Sequence, residues 1–496
     1  MNIVNIMNFV RGCEPRDPQM DLLLPVQKEL ELCQEYGYEN TFLLQYDAME
    51  REDIMRYLKE NSDDTTEFGI WIEMARSLVE RVGIEWRGRE GYDWDWYVNP
   101  GFLSAYTQQQ RRDIIDEIMR KFYEHFGYYP KSVGSWMLDA YAMDYMSEKY
   151  GVLAFCICRE QYGIDAYSYV GGYYNQGYYP SKYNQICPAQ TTENQINTPV
   201  FRLLGPDPVY NYGLDMYEGQ KGWCPTIEPV SDNGSDDKVI DWFYHNYFDN
   251  ESLAFSYMQL GQENPFGWEL IKKGLPKQLE KLKNYVDSGK CKVMKMCDTG
   301  KWFKENFKMT PATALISDSD PQGKDFDNSI WYNCINYRAN LVSEGNKLYF
   351  RDIYKFCETY REEYYDKPCE KWSAYYDNLP VMDGFLWRRE DTNRAGIYFD
   401  DAFKSLKTYK SDDRLVTDIE FVNSTVKVIF SENLIEIYTD KALNIMKNDD
   451  IIITYENECL CYTHNGCDYN IGLKGKYFQN VIEPVNGEII FYLKKA

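Results

Sequence analysis

The sequence predicts an α/β protein: a (β/α)7–8 barrel followed by an all-β, sandwich-like C-terminal domain. Short apolar runs alternate with amphipathic helices up to about residue 300, which is typical of parallel strands covered by helices. Past Thr310 clear helices become few and short alternating strands dominate. The chain of 496 residues is also too long for one ordinary domain. We therefore place the barrel domain at 1–310 and the β-rich domain at 311–496.

The N-terminal part contains the strand and helix patterns of the predicted barrel. Strands are predicted at 3–9, 41–46, 68–72, 132–138, 152–158, 200–204, 253–260 and 292–296. Apolar residues at helical spacing predict helices at 21–36, 51–61, 109–126, 141–150 and 266–286. Gly37 and Gly127 directly follow two of these helices, where a glycine often ends a helix. So many units in this length favour a closed or nearly closed barrel over an open sheet.

The C-terminal part has a different texture. One helix is predicted at 355–364, and five short alternating segments between residue 417 and the C-terminus predict an antiparallel sandwich or barrel. No low-complexity linker separates the two parts. We therefore expect the join near residue 310 to be packed.

Composition excludes several classes of partner. The net charge is −24, which repels phosphate backbones and anionic lipids, so neither nucleic acid nor a membrane surface is expected to bind. The 14 cysteines are scattered singly, as expected for free thiols in a reducing compartment. The first residues lack the basic start and apolar core of a secretion signal, so a cytoplasmic location is expected. The sequence leaves the oligomeric state open.

Acidic residues follow the predicted strands, where the chemistry of a (β/α) barrel takes place. The acids in these positions are Glu14, Asp47, Glu73, Asp139, Glu228, Glu263 and Asp298. Any one of them has a structural alternative, because acids also cap helices and form ion pairs. Their number nevertheless predicts an acidic site at the mouth of the barrel.

Two carboxyl groups suffice for glycoside hydrolysis. One protonates the leaving oxygen while the other acts as nucleophile or base, and burial separates their pKa values. Asp139 after the fourth strand and Glu263 after the seventh are predicted to form this pair, because those strands face one another across the mouth. Glu14, Asp47, Glu73 and Glu228 are then expected to bind sugar hydroxyl groups.

Aromatic residues support a carbohydrate ligand. The chain has 45 Tyr and 12 Trp, whose flat faces stack on sugar rings. Many lie in a Trp-rich loop at 86–96 and a Tyr/Gly-rich loop at 162–183, which are predicted to form the walls of a pocket. The alternative is a loop that packs on itself. The further residues predicted to bind substrate are Arg11, Trp71, Trp94, Trp96, Trp136, Tyr173 and Tyr174. Arg11 has the alternative of pairing with the acids.

Several motifs resemble the glycoside hydrolase/deacetylase superfamily, which includes polysaccharide deacetylases and the family-57 and family-38 glycoside hydrolases. The resemblance rests on segments 8–16, 38–47, 67–73, 128–140 and 260–264, and covers about residues 1–310. It implies the barrel of that superfamily, and the remainder is similar to the β-rich domain found with a bacterial branch.

The departures from the superfamily pattern bear on metal binding. Its deacetylases hold a metal through an Asp after strand one and two His after strand three, whereas this chain has Glu14 in the first place and no His in the second. The metal-free family-57 type, with one acid after strand four and another after strand seven, matches Asp139 and Glu263. No metal and no cofactor are therefore expected. A cluster of Cys459, Cys461, His464 and Cys467 fits no standard zinc module.

Three functions remain compatible with the sequence. The first is a metal-independent glycoside hydrolase with two carboxylates. The second is a deacetylase-like hydrolase with an atypical, all-carboxylate metal site at Glu14, Asp47 and Glu73. The third is a carbohydrate-binding protein without catalytic activity.

Overall fold

The structure, a computed structural model, describes residues 1–161, 165–174, 176–203, 227–317, 328–384, 387 and 394–494. The N-terminal strands are β1 (Asn2–Val10), β2 (Asn40–Leu44), β3 (Thr66–Trp71), β4 (Ser132–Gly134), β5 (Ala154–Cys158), β6 (Tyr167–Tyr169), β7 (Gly177–Tyr178), β8 (Pro180–Ser181), β9 (Asn184–Pro188), β10 (Val200–Leu203), β11 (Ser256–Leu260) and β12 (Lys292–Val293). The helices are α1 (Leu23–Tyr36), α2 (Glu52–Asn61), α3 (Arg76–Arg81), α4 (Val98–Gly101), α5 (Gln108–Phe126), α6 (Ala140–Tyr150), α7 (Asp232–Ser235), α8 (Asp237–Phe248), α9 (Trp268–Ile271), α10 (Leu275–Asp287) and α11 (Met296–Asn306).

A curled parallel sheet forms the centre of the N-terminal part. Its strands follow the order β11-β1-β2-β3-β4-β5-β10, and every neighbouring pair is parallel. The end strands β10 and β11 form no ladder among the described residues, yet the rings of Phe201 and Tyr257 on them lie 4.8 Å apart. The backbone N–H of Tyr257 donates to the side chain of Gln176 at 2.8 Å. The sheet therefore curls like a barrel, and within the described ranges no strand pairing closes it between β10 and β11.

Four helices, α1, α2, α5 and α6, begin and end within two residues of their predicted bounds. A capping box between Thr107 and Gln110 starts α5, because each side chain accepts a hydrogen bond from the backbone of the other residue. Gly37 and Gly127 end α1 and α5 with φ of 67° and 75°, a conformation that favours glycine.

The β-rich part consists mainly of two antiparallel sheets. Its strands are β13 (Thr313–Ser317), β14 (Asn328–Asn333), β15 (Tyr337–Glu344), β16 (Lys347–Lys355), β17 (Ala374–Tyr376), β18 (Leu379–Asp383), β19 (Gly396–Phe399), β20 (Phe403–Ser411), β21 (Arg414–Phe421), β22 (Thr425–Ser431), β23 (Leu434–Tyr438), β24 (Leu443–Met446), β25 (Thr454–Glu456), β26 (Cys459–His464), β27 (Cys467–Lys474), β28 (Lys476–Phe478), β29 (Val481–Glu483) and β30 (Glu488–Tyr492).

The two large sheets share one apolar core. The first runs β13-β14-β15-β16-β19-β24-β29-β28, with β18 also on β16, and the second runs β20-β21-β22-β23-β30-β27-β26-β25. Phe430 of the second sheet packs on Tyr332 and Phe350 of the first, with ring centroids 5.5 and 6.2 Å apart. The predicted β-rich C-terminal part is therefore confirmed, and it contains several sheets.

Three sequence predictions of local structure were wrong. The segment predicted as a helix at 266–286 is broken into α9 and α10. The last predicted strand of the barrel is only two residues long, because α11 begins at Met296. No helix forms at 355–364. There the carboxylate of Glu358 accepts the backbone N–H groups of Gln190 and Thr191, both at 2.8 Å, so long-range bonds hold this segment in turns and irregular structure.

The β-rich part packs closely on the barrel. Strand β17 pairs in parallel with β6, and the ring of Tyr174 stacks on Trp331 with centroids 4.1 Å apart. The join is therefore packed, as the sequence predicts. The exact boundary at residue 310 stays a prediction.

No helix in the described ranges is long and apolar enough to cross a membrane. The cysteines in those ranges form no disulfide, and most of them are buried.

Candidate active site

A cavity of about 500 Å³ lies at the carboxyl ends of the parallel strands. Five strands end at it and each contributes the side chain that follows: Arg11 after β1, Glu73 after β3, Trp136 after β4, Arg159 after β5 and Glu263 after β11. Loops supply the rest of the lining, namely Arg16, Trp94, Trp96, Phe102, Gln161, Asp165, Tyr167, Glu228 and Phe266. This is the place where a (β/α) barrel carries its chemistry.

One buried arginine joins two carboxyl groups on the floor of the cavity. The Arg11 guanidinium donates to Oε2 of Glu73 from Nε at 3.0 Å and from Nη2 at 2.8 Å. Its Nη1 forms an ion pair with Oε2 of Glu263. The indole N–H of Trp71 also donates to Oε2 of Glu73, at 3.0 Å. Glu73 therefore accepts three hydrogen bonds, and a single guanidinium serves both acids.

Burial sets the protonation of these acids. The pKa of Glu263 is raised to about 7: burial raises it most, Arg11 opposes the rise, and the charges of Glu73, Glu228 and Asp165 add to it. Burial also raises the pKa of Glu73, against the charge and hydrogen bonds of Arg11. Arg11 carries one positive charge and can balance only one of the two buried carboxylates. The group of three is therefore neutral when one of the two carboxyls is protonated. Glu73, with its three donors, is the better anion, and Glu263 is the better acid.

Aromatic rings form one wall of the cavity. The Arg11 guanidinium lies over the ring of Trp94 at 3.9 Å, and Trp136 packs edge-on against Trp71 at 5.0 Å. Trp96 lies beside Trp94, with ring centroids 5.9 Å apart. Flat apolar faces beside charged groups are suited to binding sugars, which have apolar faces and polar edges.

The loop after β5 forms the opposite part of the lining. Its Glu160 accepts a hydrogen bond from the backbone N–H of Gly171 at 2.8 Å and pairs with both terminal nitrogens of Arg338, from the β-rich part. Arg338 also donates to the carbonyl of Gly172 at 3.0 Å. A residue of the β-rich part therefore fixes the loop that presents Arg159, whose pKa burial lowers.

Sequence reasoning placed the loop at 162–183 beside the pocket, but it did not name the four residues of this region that reach it. Arg159, Gln161, Asp165 and Tyr167 all line the cavity. Arg159 directly follows a correctly predicted strand, so the rule that found the acids would have found it if the search had included basic residues. Burial by the surrounding protein raises the pKa of Asp165, although part of its side chain faces the open cavity.

The structure brings together seven of the predicted site residues. Those that line the cavity are Arg11, Glu73, Trp94, Trp96, Trp136, Glu228 and Glu263. Glu14 does not line it, but pairs with Arg16, which does, at 2.5 Å. The hydrogen bonds of Arg16 lower the pKa of Glu14, although burial opposes this.

Asp139 lies outside the cavity, fully buried at the start of α6. Its Oδ1 accepts the backbone N–H of Ala142 and a hydrogen bond from Nη1 of Arg111, both at 2.9 Å. It therefore caps a helix and forms a buried ion pair, which is the structural alternative for an acid in this position. The predicted pairing with Glu263 is not present in the described residues. The reason is that β4 ends at Gly134, four residues earlier than predicted. Trp136 is therefore the residue that lines the cavity, and Asp139 lies at the start of α6.

The change Asp139→Asn is expected to lower stability and leave the pH dependence of activity unchanged. It removes the carboxylate that balances buried Arg111, and we expect a loss of about 1–3 kcal/mol in the free energy of unfolding. Urea unfolding at neutral pH measures this loss. Asp287→Asn is the control, because its ion pair with Lys283 is exposed and we expect a loss of at most about 1 kcal/mol. Loss of activity without loss of stability would instead assign Asp139 to catalysis.

Four other predicted residues are buried away from the cavity lining. Asp47 sits behind Cys13, and burial raises its pKa. Trp71 contacts Glu73 from the core side. The hydroxyl group of Tyr173 bonds to Thr313 at 2.9 Å, and Tyr174 stacks on Trp331. The Tyr/Gly-rich loop therefore packs against the β-rich part, and these two tyrosines do not form a wall of the pocket.

The acids do not fit the all-carboxylate metal site. Glu73 is held by the Arg11 guanidinium, Glu14 is held by Arg16, and Asp47 does not line the cavity. A metal ion bound there would face the positive charges of Arg11 and Arg16. In the described ranges, no three His, Cys, Asp or Glu side chains are grouped as metal ligands. His464, a member of the Cys/His cluster considered in the sequence, pairs with an acid in the structure: its Nε2 lies 2.7 Å from Asp377 Oδ2.

Comparison with solved structures defines the class of fold. A candidate glycoside hydrolase/deacetylase from Parabacteroides distasonis matches with a TM-score of 0.56 and 15% identity, over 78% of this chain and 91% of that chain. Candidate polysaccharide deacetylases from Mycobacterium smegmatis and Pseudomonas aeruginosa give TM-scores of 0.38 and 0.37, with 12% identity in both cases. They cover 62% and 61% of this chain, and the matches span 92% and 91% of their own lengths.

The first likeness shows a shared fold, of the glycoside hydrolase/deacetylase kind, which confirms the resemblance seen in the sequence motifs. Residues 27–310 match the model of a domain of unknown function with a solved structure, DUF3863. The chain belongs to this family. No curated protein matches the chain.

Proposed function

We propose that the chain is a carbohydrate-active hydrolase that cleaves glycosidic bonds with two carboxyl groups, Glu263 and Glu73. The observation that carries this proposal is the Arg11 bridge between the two acids on the floor of an aromatic cavity. The proposal keeps Glu263 from the sequence prediction and replaces Asp139 by Glu73.

The two acids have different environments, as the reaction requires. Glu263, with a pKa of about 7, holds a proton near neutral pH and donates it to the leaving oxygen. Glu73 accepts hydrogen bonds from Arg11 and Trp71, which favour its ionised form, and acts as the nucleophile or base. Cleavage breaks the bond between the anomeric carbon and the leaving oxygen, and water supplies the hydroxyl group and the proton of the products.

The walls support a sugar as substrate. Trp94, Trp96 and Trp136 present apolar ring surface, while Glu228 and Asp165 supply carboxylates that accept hydrogen bonds from hydroxyl groups. The net charge of −24 argues against nucleic acid as the substrate. We therefore propose that the substrate is a neutral glycan and that the enzyme acts in the cytoplasm.

The test is a panel of aryl α- and β-glycosides and acetylated sugars, assayed with and without a chelator. We expect chelator-resistant release of the aryl group. The rate should fall above about pH 7, as Glu263 loses its proton. Chelator-sensitive release of acetate would support a deacetylase-like enzyme instead. Binding of sugars without turnover would support a carbohydrate-binding protein.

A further inference from the structure

The aromatic wall of the cavity continues out to the protein surface. Trp94 and Trp96 line the cavity, with ring centroids 5.9 Å apart. Trp96 lies 5.9 Å from Tyr97, and Tyr97 lies 4.8 Å from Trp372, which it meets edge to face. Trp372 is 49% exposed. We call these four rings the aromatic strip.

The backbone holds the outer end of the aromatic strip in place. The carbonyl of Trp372 accepts the backbone N–H of Val98 at 3.0 Å, and the carbonyl of Glu370 accepts the side-chain amide of Asn99 at 3.0 Å. Two residues further on, Ala374 N–H donates to the carbonyl of Ala166 at 3.0 Å, where β17 joins β6. The half-exposed indole of Trp372 is therefore attached to an ordered segment of the β-rich part.

Charged groups fix and flank the inner rings. The Arg89 guanidinium lies over Trp96 at 4.0 Å and over Tyr97 at 4.9 Å, and Asp95 holds it at 2.9 Å. Arg16 lies near Trp96 at 5.4 Å, and its side chain is 55% exposed. Ring surface beside exposed hydrogen-bond donors is the combination that binds sugar units one after another.

A single exposed aromatic residue needs no explanation, because soluble proteins expose many of them. Trp372 differs in its continuity with the cavity and in its anchored backbone. We infer that the aromatic strip binds the part of a glycan that extends beyond the cleaved bond, with Trp372 as its outermost contact. The substrate is then an oligosaccharide or polysaccharide chain. This inference rests on the proposed function and specifies its substrate class.

The test compares short and long substrates in the Trp372→Ala variant. For long members of the oligosaccharide series that the enzyme cleaves, we expect kcat/KM to fall about ten-fold, the size of one lost stacking contact. For an aryl monosaccharide substrate, we expect no change, because that substrate ends inside the cavity. Trp372→Phe should retain much of the preference for long chains. Phe478→Ala is the matched control, since Phe478 is 71% exposed in the β-rich part and does not belong to the strip.

Two outcomes overturn the inference: an equal loss on short and long substrates, or no loss on either. If the wild type cleaves nothing, the proposed function fails. The aromatic strip can then be tested separately, by measuring sugar binding with calorimetry. The probes are malto-, cello- and chito-oligosaccharides. Affinity that rises with chain length and is lost in Trp372→Ala supports the strip. Binding that is absent, or independent of length, overturns it.

Discussion

Replacing Glu263 by Gln is expected to lower kcat/KM at least about 10²-fold and to stabilise the folded chain above pH 7. The amide cannot protonate a leaving oxygen, so the chemical step loses its acid. Its shape and its place beside Arg11 are nearly the same, so substrate binding should persist. The variant separates catalysis from binding, and turnover of aryl glycosides measures the first effect.

The stability effect follows from proton linkage. Glu263 has a pKa of about 7 in the folded chain against an ordinary value of 4.5. Between these pH values the folded state holds a proton that the unfolded state has lost, so wild-type stability falls as pH rises through this window. The variant lacks this group. It should gain up to about 3 kcal/mol over the wild type above pH 7 and almost nothing near pH 4.

Urea unfolding of both proteins at several pH values measures this difference. Glu269→Gln serves as the control, because the side chain of Glu269 is 82% exposed and does not line the cavity. An unchanged rate in Glu263→Gln would remove Glu263 from the mechanism. A variant that is less stable than the wild type at all pH values would contradict the assigned protonation.

The change Arg11→Met is expected to destabilise the folded chain by about 3–5 kcal/mol at pH 8. It removes the only guanidinium that contacts both Glu73 and Glu263 among the described residues, and leaves two buried carboxyls without that cation. Their pKa values should rise further. At pH 5 both can take up protons, so the loss there should be clearly smaller than at pH 8.

Thermal or urea unfolding at the two pH values measures the loss. Arg361→Met is the control: Arg361 pairs with Asp366 and both side chains are about half exposed, so we expect at most about 1 kcal/mol. A loss of the same size at pH 5 and pH 8 would show that packing against Trp94, and not charge, accounts for the effect.

Much of the barrel could be predicted from the sequence because its strands are buried and its helices amphipathic. The position after each strand then identified Glu73 and Glu263 as acids of the site, and Arg11 was predicted separately, to bind substrate or to pair with the acids. Asp139 could not be placed in this way, since the last residue of β4 decides whether an acid faces the cavity or caps the next helix. Sequence patterns do not fix an end of that kind to within two or three residues.

Long-range contacts account for the other differences. The Tyr/Gly-rich loop was predicted to form walls of the pocket, and Asp165 and Tyr167 do line it. Further along the loop, however, Tyr174 stacks on Trp331, more than 150 residues away. Glu358 was predicted to lie in a helix, but its carboxylate accepts hydrogen bonds from backbone N–H groups 167 and 168 residues away. Such partners leave no periodic signal in the local sequence, and tertiary contacts override local preference.

The link between Arg338 and Glu160 has a consequence for synthesis of the chain. Glu160 belongs to the loop that lines the cavity, and its arginine partner follows 178 residues later. A ribosome therefore completes every strand of the parallel sheet well before the residue that fixes this loop leaves the exit tunnel. Because the earlier part of a chain generally folds first during synthesis, we expect a stage in which the sheet is present and the site is unfinished. The site reaches its final form only after the β-rich part has emerged.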